Sequence, residues 1–249
     1  MSGHSKWATT KHQKAAKDKA RGKLFAKLIR QVEVAAREGG GDLTANATLR
    51  TMFQKARDAS VPMDTLERAV KRGTGELEGV RYEPVNYEGY ASDGVAVLVE
   101  CLTDNRNRTG AEVRAIFSRN GGSMAEPGAV SWQFDRKGVV LVPHSVAEDE
   151  VMTVGLEGGA EDVRDIGEFW MLMSAPADLH QLRTTLEEAG IVIDTAELQH
   201  VPSTTVEIAD ESAARKVLHL IELLEDHDDV QNVYANFDIP DAVLEMVEV

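Results

Sequence analysis

The sequence predicts an α+β protein: an N-terminal three-helix domain followed by two ferredoxin-like α/β domains, one inserted in the other. Three observations predict it. Apolar residues recur at helical spacing between residues 24 and 70. Beyond residue 80 the pattern changes to short apolar runs broken by turn residues, the mark of strands. Residues 138–202 then read β-α-β-β-α-β, the split βαβ order. A chain of 249 residues, 43% of them hydrophobic, has the length for two or three domains and the apolar content for their cores.

The first helix carries Leu24, Phe25, Leu28, Val32 and Ala35 on one stripe, and Gly39-Gly40-Gly41 ends it. Asn46 is positioned to cap a second helix bearing Leu49, Met52, Phe53 and Ala56. Asp64 and Glu67 read as a capping box for a third, stopped by Gly73. Strands follow over 85–90 and 95–103, separated by Ser92-Asp93-Gly94. Thr109 and Glu112 read as a capping box opening a helix that Gly121-Gly122 closes. Strands are expected over 130–134 and 139–142, then a helix from the Ser145/Glu148 box. Strands near 163–166 and 169–173 lead to a helix from Pro176 to Gly190. Residues 191–198 and 204–208 read as strands, 211–226 as the strongest helix, and 230–237 as the last strand. Residues 94–136 and 204–238 each read β-α-β and together complete a second ferredoxin-like unit. The expected domains are therefore 1–78, 79–136 with 203–249, and an insert over 137–202.

Charge is distributed unevenly. The net charge is −15, which taken whole disfavours nucleic acid. Yet residues 1–75 hold 16 Lys and Arg against 7 Asp and Glu, whereas residues 76–249 hold 11 against 35. Residues 1–37 hold ten basic side chains and only Asp18 and Glu33 as acids. A basic segment on an acidic body fits nucleic-acid contact, and it fits equally a solvated helical face or an arm that docks on its own body. Residues 1–20 read as such an arm, ordered when bound.

The run Gly3-His4-Ser5-Lys6-Trp7, continuing through Lys11-His12 and Lys14-Ala15-Ala16, resembles the opening of the YebC family. Arg21-Gly22-Lys23, Gly39-Gly40-Gly41-Asp42, Tyr87-Glu88-Gly89-Tyr90, residues 104–109, Gly121-Gly122 and residues 128–134 extend the resemblance in order. It implies a helical N-terminal domain plus two α/β domains. It also implies a regulator of gene expression. Bacterial members are described as DNA-binding transcriptional regulators. The mitochondrial relative is a translational activator of cytochrome oxidase subunit I. Other bacterial members resemble ribosome-associated factors that ease difficult peptide bonds.

Phosphate neutralisation needs Lys and Arg, and the candidates are Lys6, Lys11, Lys14, Lys17, Lys19, Arg21, Lys23, Lys27 and Arg30. On one helix Lys11, Lys14 and Arg21 fall within about a quarter-turn of one another. Trp7 either stacks on an exposed base or plugs the arm onto the bundle. Asn105, Arg106, Asn107 and Arg108 form a second candidate, a polar loop at a helix N-terminus where an anion is favoured. The alternative is that Asn107 and Thr109 cap the helix while the arginines pair with acids. The acidic runs 148–150 and 225–229 lack EF-hand spacing and read as solvated helix ends, or as contacts for basic ribosomal proteins.

No phosphate-binding P-loop, nucleophile elbow, zinc-protease motif or dinucleotide fingerprint occurs. Cys101, the single cysteine, lies in an apolar strand and reads as buried and inert. No catalytic, metal or cofactor site is therefore expected. No apolar run approaches a membrane span, and no secretory signal is visible, so the expected location is the cytoplasm.

Overall fold

The computed structural model describes residues 19–247, with side chains described from residue 22. Three helices come first: α1 (Lys19–Gly39), α2 (Ala47–Asp58) and α3 (Met63–Thr74). Their apolar stripes close on one core of Leu28, Val32, Ala35, Leu49, Phe53, Ala56, Leu66 and Ala69. Leu24 lies off this stripe and is 45% exposed, while Phe25 packs against the core. Asn46 caps α2 by accepting from the Leu49 amide at 3.0 Å. Its own amide donates to Ala35 O and Gly40 O at 2.8 Å, so one buried side chain serves the end of α1 and the start of α2.

Gly73 does not stop the third helix. The helix continues to Thr74 and ends at Gly75, whose φ of 83° supplies the left-handed cap. Gly73 instead lets α3 approach α1, since a Cβ there would lie 2.3 Å from Glu33 O. Asp64 is not the cap either. Helix α3 starts one residue earlier, after Pro62, and Asp64 pairs within the first turn with Arg68 at 3.3 Å.

The chain then builds two four-stranded antiparallel sheets. The first uses β1 (Glu83–Tyr90), β2 (Ala96–Thr103), β3 (Ser123–Met124) and β9 (Val230–Ala235), in the order β3-β1-β2-β9. The second uses β4 (Phe134–Pro143), β5 (Asp162–Asp165), β6 (Phe169–Ser174) and β7 (Thr195–Pro202), in the order β5-β6-β4-β7. On the first, Val97, Val99 and Cys101 face α4 (Arg106–Arg119) and α7 (Glu211–Glu225) through Val113, Phe117, Val217, Ile221 and Leu224. Ala96 and Leu98 point the other way, onto Val130, Phe134 and Tyr234. Burial on both faces explains the uninterrupted apolar run of β2. On the second, α5 (Glu148–Glu157) and α6 (Leu179–Glu188) cover Val140, Val142, Trp170 and Leu172.

Four local expectations are corrected. Residues 130–133 are not a strand, and β4 begins only at Phe134. The buried Glu88 carboxylate accepts from the amides of Gly128, Val130 and Ser131 at 2.6–2.9 Å and folds the segment into a 3-10 turn. Helix α5 starts at Glu148 after Ala147, without a side-chain cap from Ser145. The strand after residue 204 shrinks to β8 (Val206–Glu207), which pairs in parallel with β10 (Phe237–Asp238) outside both larger sheets. The reason lies at Asn236, whose Oδ1 takes the Ala96 amide at 2.8 Å and whose carbonyl takes that of Val206. The chain therefore kinks between β9 and β10, and β8 adds no strand to the first sheet. Lastly, α8 (Asp241–Val247) was not anticipated; it buries Val243 and Leu244 against the α7 core.

Candidate nucleic-acid interface

Lys6, Trp7, Lys11, Lys14 and Lys17 lie outside the described residues. Lys19 and Arg21 stand in the first turns of α1, and their side chains are outside the described set. The remaining α1 candidates, Lys23, Lys27 and Arg30, fall at i, i+4 and i+7 and so share a face. That face does not open to solvent. It meets the C-terminal end of α7 and the run after it.

The contacts are specific. Lys23 Nζ donates to Asp226 Oδ1 at 2.6 Å and Asp226 O at 3.0 Å, with Asp228 Oδ1 at 3.9 Å. Lys27 Nζ donates to Glu225 O at 2.7 Å. Arg30 Nη1 donates to Asp228 O at 2.7 Å and reaches Asp229 Oδ1 at 3.4 Å. The last carbonyls of a helix have no partner within it and carry the negative end of its dipole. The three cations satisfy these groups and the adjoining carboxylates together. Burial pushes the Lys27 pKa down, and Glu225 opposes that shift.

The second predicted constellation arrives at the same place. Helix α4 opens at Arg106, and Asn105 is its cap, accepting from the Arg108 amide at 3.1 Å. Neither Asn107 nor Thr109 caps it. Thr109 lies a turn inside and donates its buried hydroxyl to Asp229 Oδ2 at 2.7 Å. Arg108 Nη2 bridges Asp104 Oδ1 at 2.9 Å and Asp229 Oδ2 at 2.7 Å. Arg106 and Asn107 are exposed, and Arg106 O accepts from Tyr87 OH at 3.0 Å.

Asp229 is thus the residue that sequence reasoning missed. It is 5% exposed and receives Arg30, Arg108 and Thr109. Burial works against its charge, but the hydrogen bonds from Arg108 and Thr109, with the charges of Arg108 and Arg30, hold its pKa below the ordinary carboxylate value. The sequence offered one signal. Asp229 is the acid of its run that directly precedes the apolar strand β9, so it enters the core edge while Asp226 and Asp228 stay outside.

Chemically, this is a cluster of cations ordered by carboxylate and carbonyl oxygens. Among the described residues no group of three or more His, Cys, Asp or Glu is placed to hold a metal. Cys101 is buried, and burial pushes its thiol up to about 12. No helix among the described residues is long and apolar enough to cross a membrane.

The comparisons place this arrangement. Residues 5–76 match the model of the TACO1/YebC N-terminal domain, and residues 82–237 match that of the TACO1/YebC second and third domain. The chain belongs to the TACO1/YebC family. A probable transcriptional regulatory protein of Beutenbergia cavernae is 57% identical over 251 residues, covering 100% of this chain and 99% of that one. One of Streptomyces coelicolor is 56% identical over 250 residues, covering both chains fully. The crystal structure of the conserved hypothetical protein Aq1575 from Aquifex aeolicus superposes with a TM-score of 0.83 at 47% identity. That match covers 90% of this chain and 93% of that one.

Proposed function

We propose that this YebC-family protein is a cytoplasmic regulator of transcription that binds DNA through its basic N-terminal region. The observation that supports it most directly is the charge polarity: ten basic side chains within residues 1–37, on and before a helix whose Lys23, Lys27 and Arg30 donate to carboxylate and carbonyl oxygens. The printed names of its full-length relatives point the same way. Lys6, Lys11, Lys14, Lys17, Lys19 and Arg21 would take phosphates first, with Lys23, Lys27 and Arg30 continuing the row along α1. Arg106, Asn107 and Arg108 add a second contact at the α4 N-terminus. In this reading residues 1–78 are the binding arm and helical domain. Residues 79–136 with 203–249 form the body, and residues 137–202 are a ferredoxin-like insert that presents a partner surface.

A second target is favoured by one observation. Residues 76–249 carry 35 acids against 11 bases, which is awkward beside an open duplex but tolerable among the basic proteins and folded RNA of a ribosome. Co-sedimentation with ribosomes at near-physiological salt, with excess competitor duplex DNA, separates the two. Release by the DNA supports transcriptional regulation. Persistent migration with the ribosomal peak moves the function to translation. Genomic mapping of bound sites then follows only in the first case.

A further inference from the structure

We propose that the acidic end of α7 is an internal phosphate mimic that latches shut part of the basic face of α1, so that nucleic acid must displace it to bind fully. The inference rests on the nucleic-acid reading above and adds its regulation. Four features carry it. Lys23, Lys27 and Arg30, three consecutive cations of the candidate row, are all held by oxygen atoms of residues 225–229, about 200 positions away in sequence. The groups that hold them are the Asp226 and Asp229 carboxylates together with backbone carbonyls at and just beyond the helix end, oxygen acceptors like those of a phosphate chain. The buried apolar core of the three-helix region draws only on residues 25–70. Its other ties to the body include Lys55 with Glu197, Arg183 with Asp58 at 2.9 Å, Arg37 Nη1 donating to Tyr82 O at 2.8 Å, and the Arg30 guanidinium 5.0 Å over the Tyr82 ring.

Residues 76–81, which connect α3 to β1, run exposed. Beside them a cleft of about 330 Å³, lined by Val34, Arg37, Arg81, Tyr82 and Pro84, lies between α1 and the start of β1, and Arg37 reaches across it to Val80 O and Tyr82 O. A seam made of ion pairs exchanges partners readily, because its charges gain as much from phosphate oxygens as from carboxylates and the exchange releases counterions. An apolar seam has no such alternative in water. Asp229 sits deeper and stays bound to Arg108 and Thr109, so the body keeps its own structure when the latch opens.

The test compares the full-length protein with Asp226→Asn/Asp228→Asn. Both side chains are 74% exposed, so the variant folds. Glu148→Gln/Glu150→Gln, exposed on α5, makes the same change in net charge elsewhere. Affinity for a labelled duplex DNA is measured by fluorescence anisotropy. Apparent affinity scales with the competent fraction, so loosening the latch tightens binding by roughly five- to tenfold, and the α5 variant does not. Independently, a carbodiimide condenses Lys23 Nζ with the Asp226 carboxylate in the free protein, losing water, and peptide mass spectrometry reads the amide. Saturating duplex suppresses it. Equal tightening by both variants, a cross-link that survives in the complex, or no cross-link in the free protein overturns the latch and leaves DNA binding standing. Absence of binding by all three proteins instead removes the DNA-binding reading and the competition with it.

Discussion

At Asp229 two arginines and a threonine hydroxyl converge on one nearly buried carboxylate. Removing the charge leaves Arg108 and Arg30 facing an amide, and a lost partner in a buried charged cluster costs more than a surface pair. Asp229→Asn is expected to destabilise the protein by about 2–4 kcal/mol in urea unfolding. The sign with pH follows from the depressed pKa. The folded state binds fewer protons than the unfolded chain, so this stabilisation is complete above the ordinary carboxylate value of ~3.9 and is lost as pH falls through the lower folded value. The Asn variant should lack that part of the acid dependence; an identical acid profile would contradict the role. Glu88 makes a second prediction at this scale. Its carboxylate accepts three amides, and burial is outweighed by those bonds in holding its pKa down. Glu88→Gln substitutes a donor for one acceptor oxygen and should cost about 1–3 kcal/mol, again by urea unfolding.

Among the elements, α1 and α3 depend on one close approach. Gly73→Ala would drive a methyl into the Glu33 carbonyl and should destabilise by about 1–3 kcal/mol. Gly22, inside α1 with nothing within 4 Å of its would-be Cβ, gives the opposite outcome. Gly22→Ala should raise stability by about 0.5–1 kcal/mol through helix propensity. A thermal scan of the two variants shows both signs. These helices also show what the sequence discloses. The stripe of Leu28, Val32 and Ala35, the Asn46 cap and the both-faces-buried strand β2 follow from period and cap chemistry, and the structure has them. The boxes at Asp64, Thr109 and Ser145 do not survive, because a box depends on the residue where the helix starts, and these helices start after Pro62, Asn105 and Ala147 instead. Gly73 reads as a stop in one dimension and is a contact point in three. The candidate site was legible as a row of cations on α1 and a loop before α4. That both rows end on Asp229 was not, because the partner lies far along the chain and its run resembles an ordinary solvated helix end.

Across the whole molecule, charge separation is the organising fact. A basic helical region is tied by polar contacts to an acidic two-sheet body, and its cations already rest on oxygen anions. Salt should weaken this seam while leaving the apolar cores intact. The regulator reading requires that the basic segment make the phosphate contacts. The most direct measurement is the affinity of the full chain for duplex DNA and for structured RNA across a salt series, with Lys11→Glu/Lys14→Glu/Arg21→Glu beside the native protein. Loss of three phosphate contacts should weaken binding and flatten the plot of log affinity against log salt by about 2–3 in slope. An unchanged affinity and slope on both nucleic acids would contradict the assignment of function to this face.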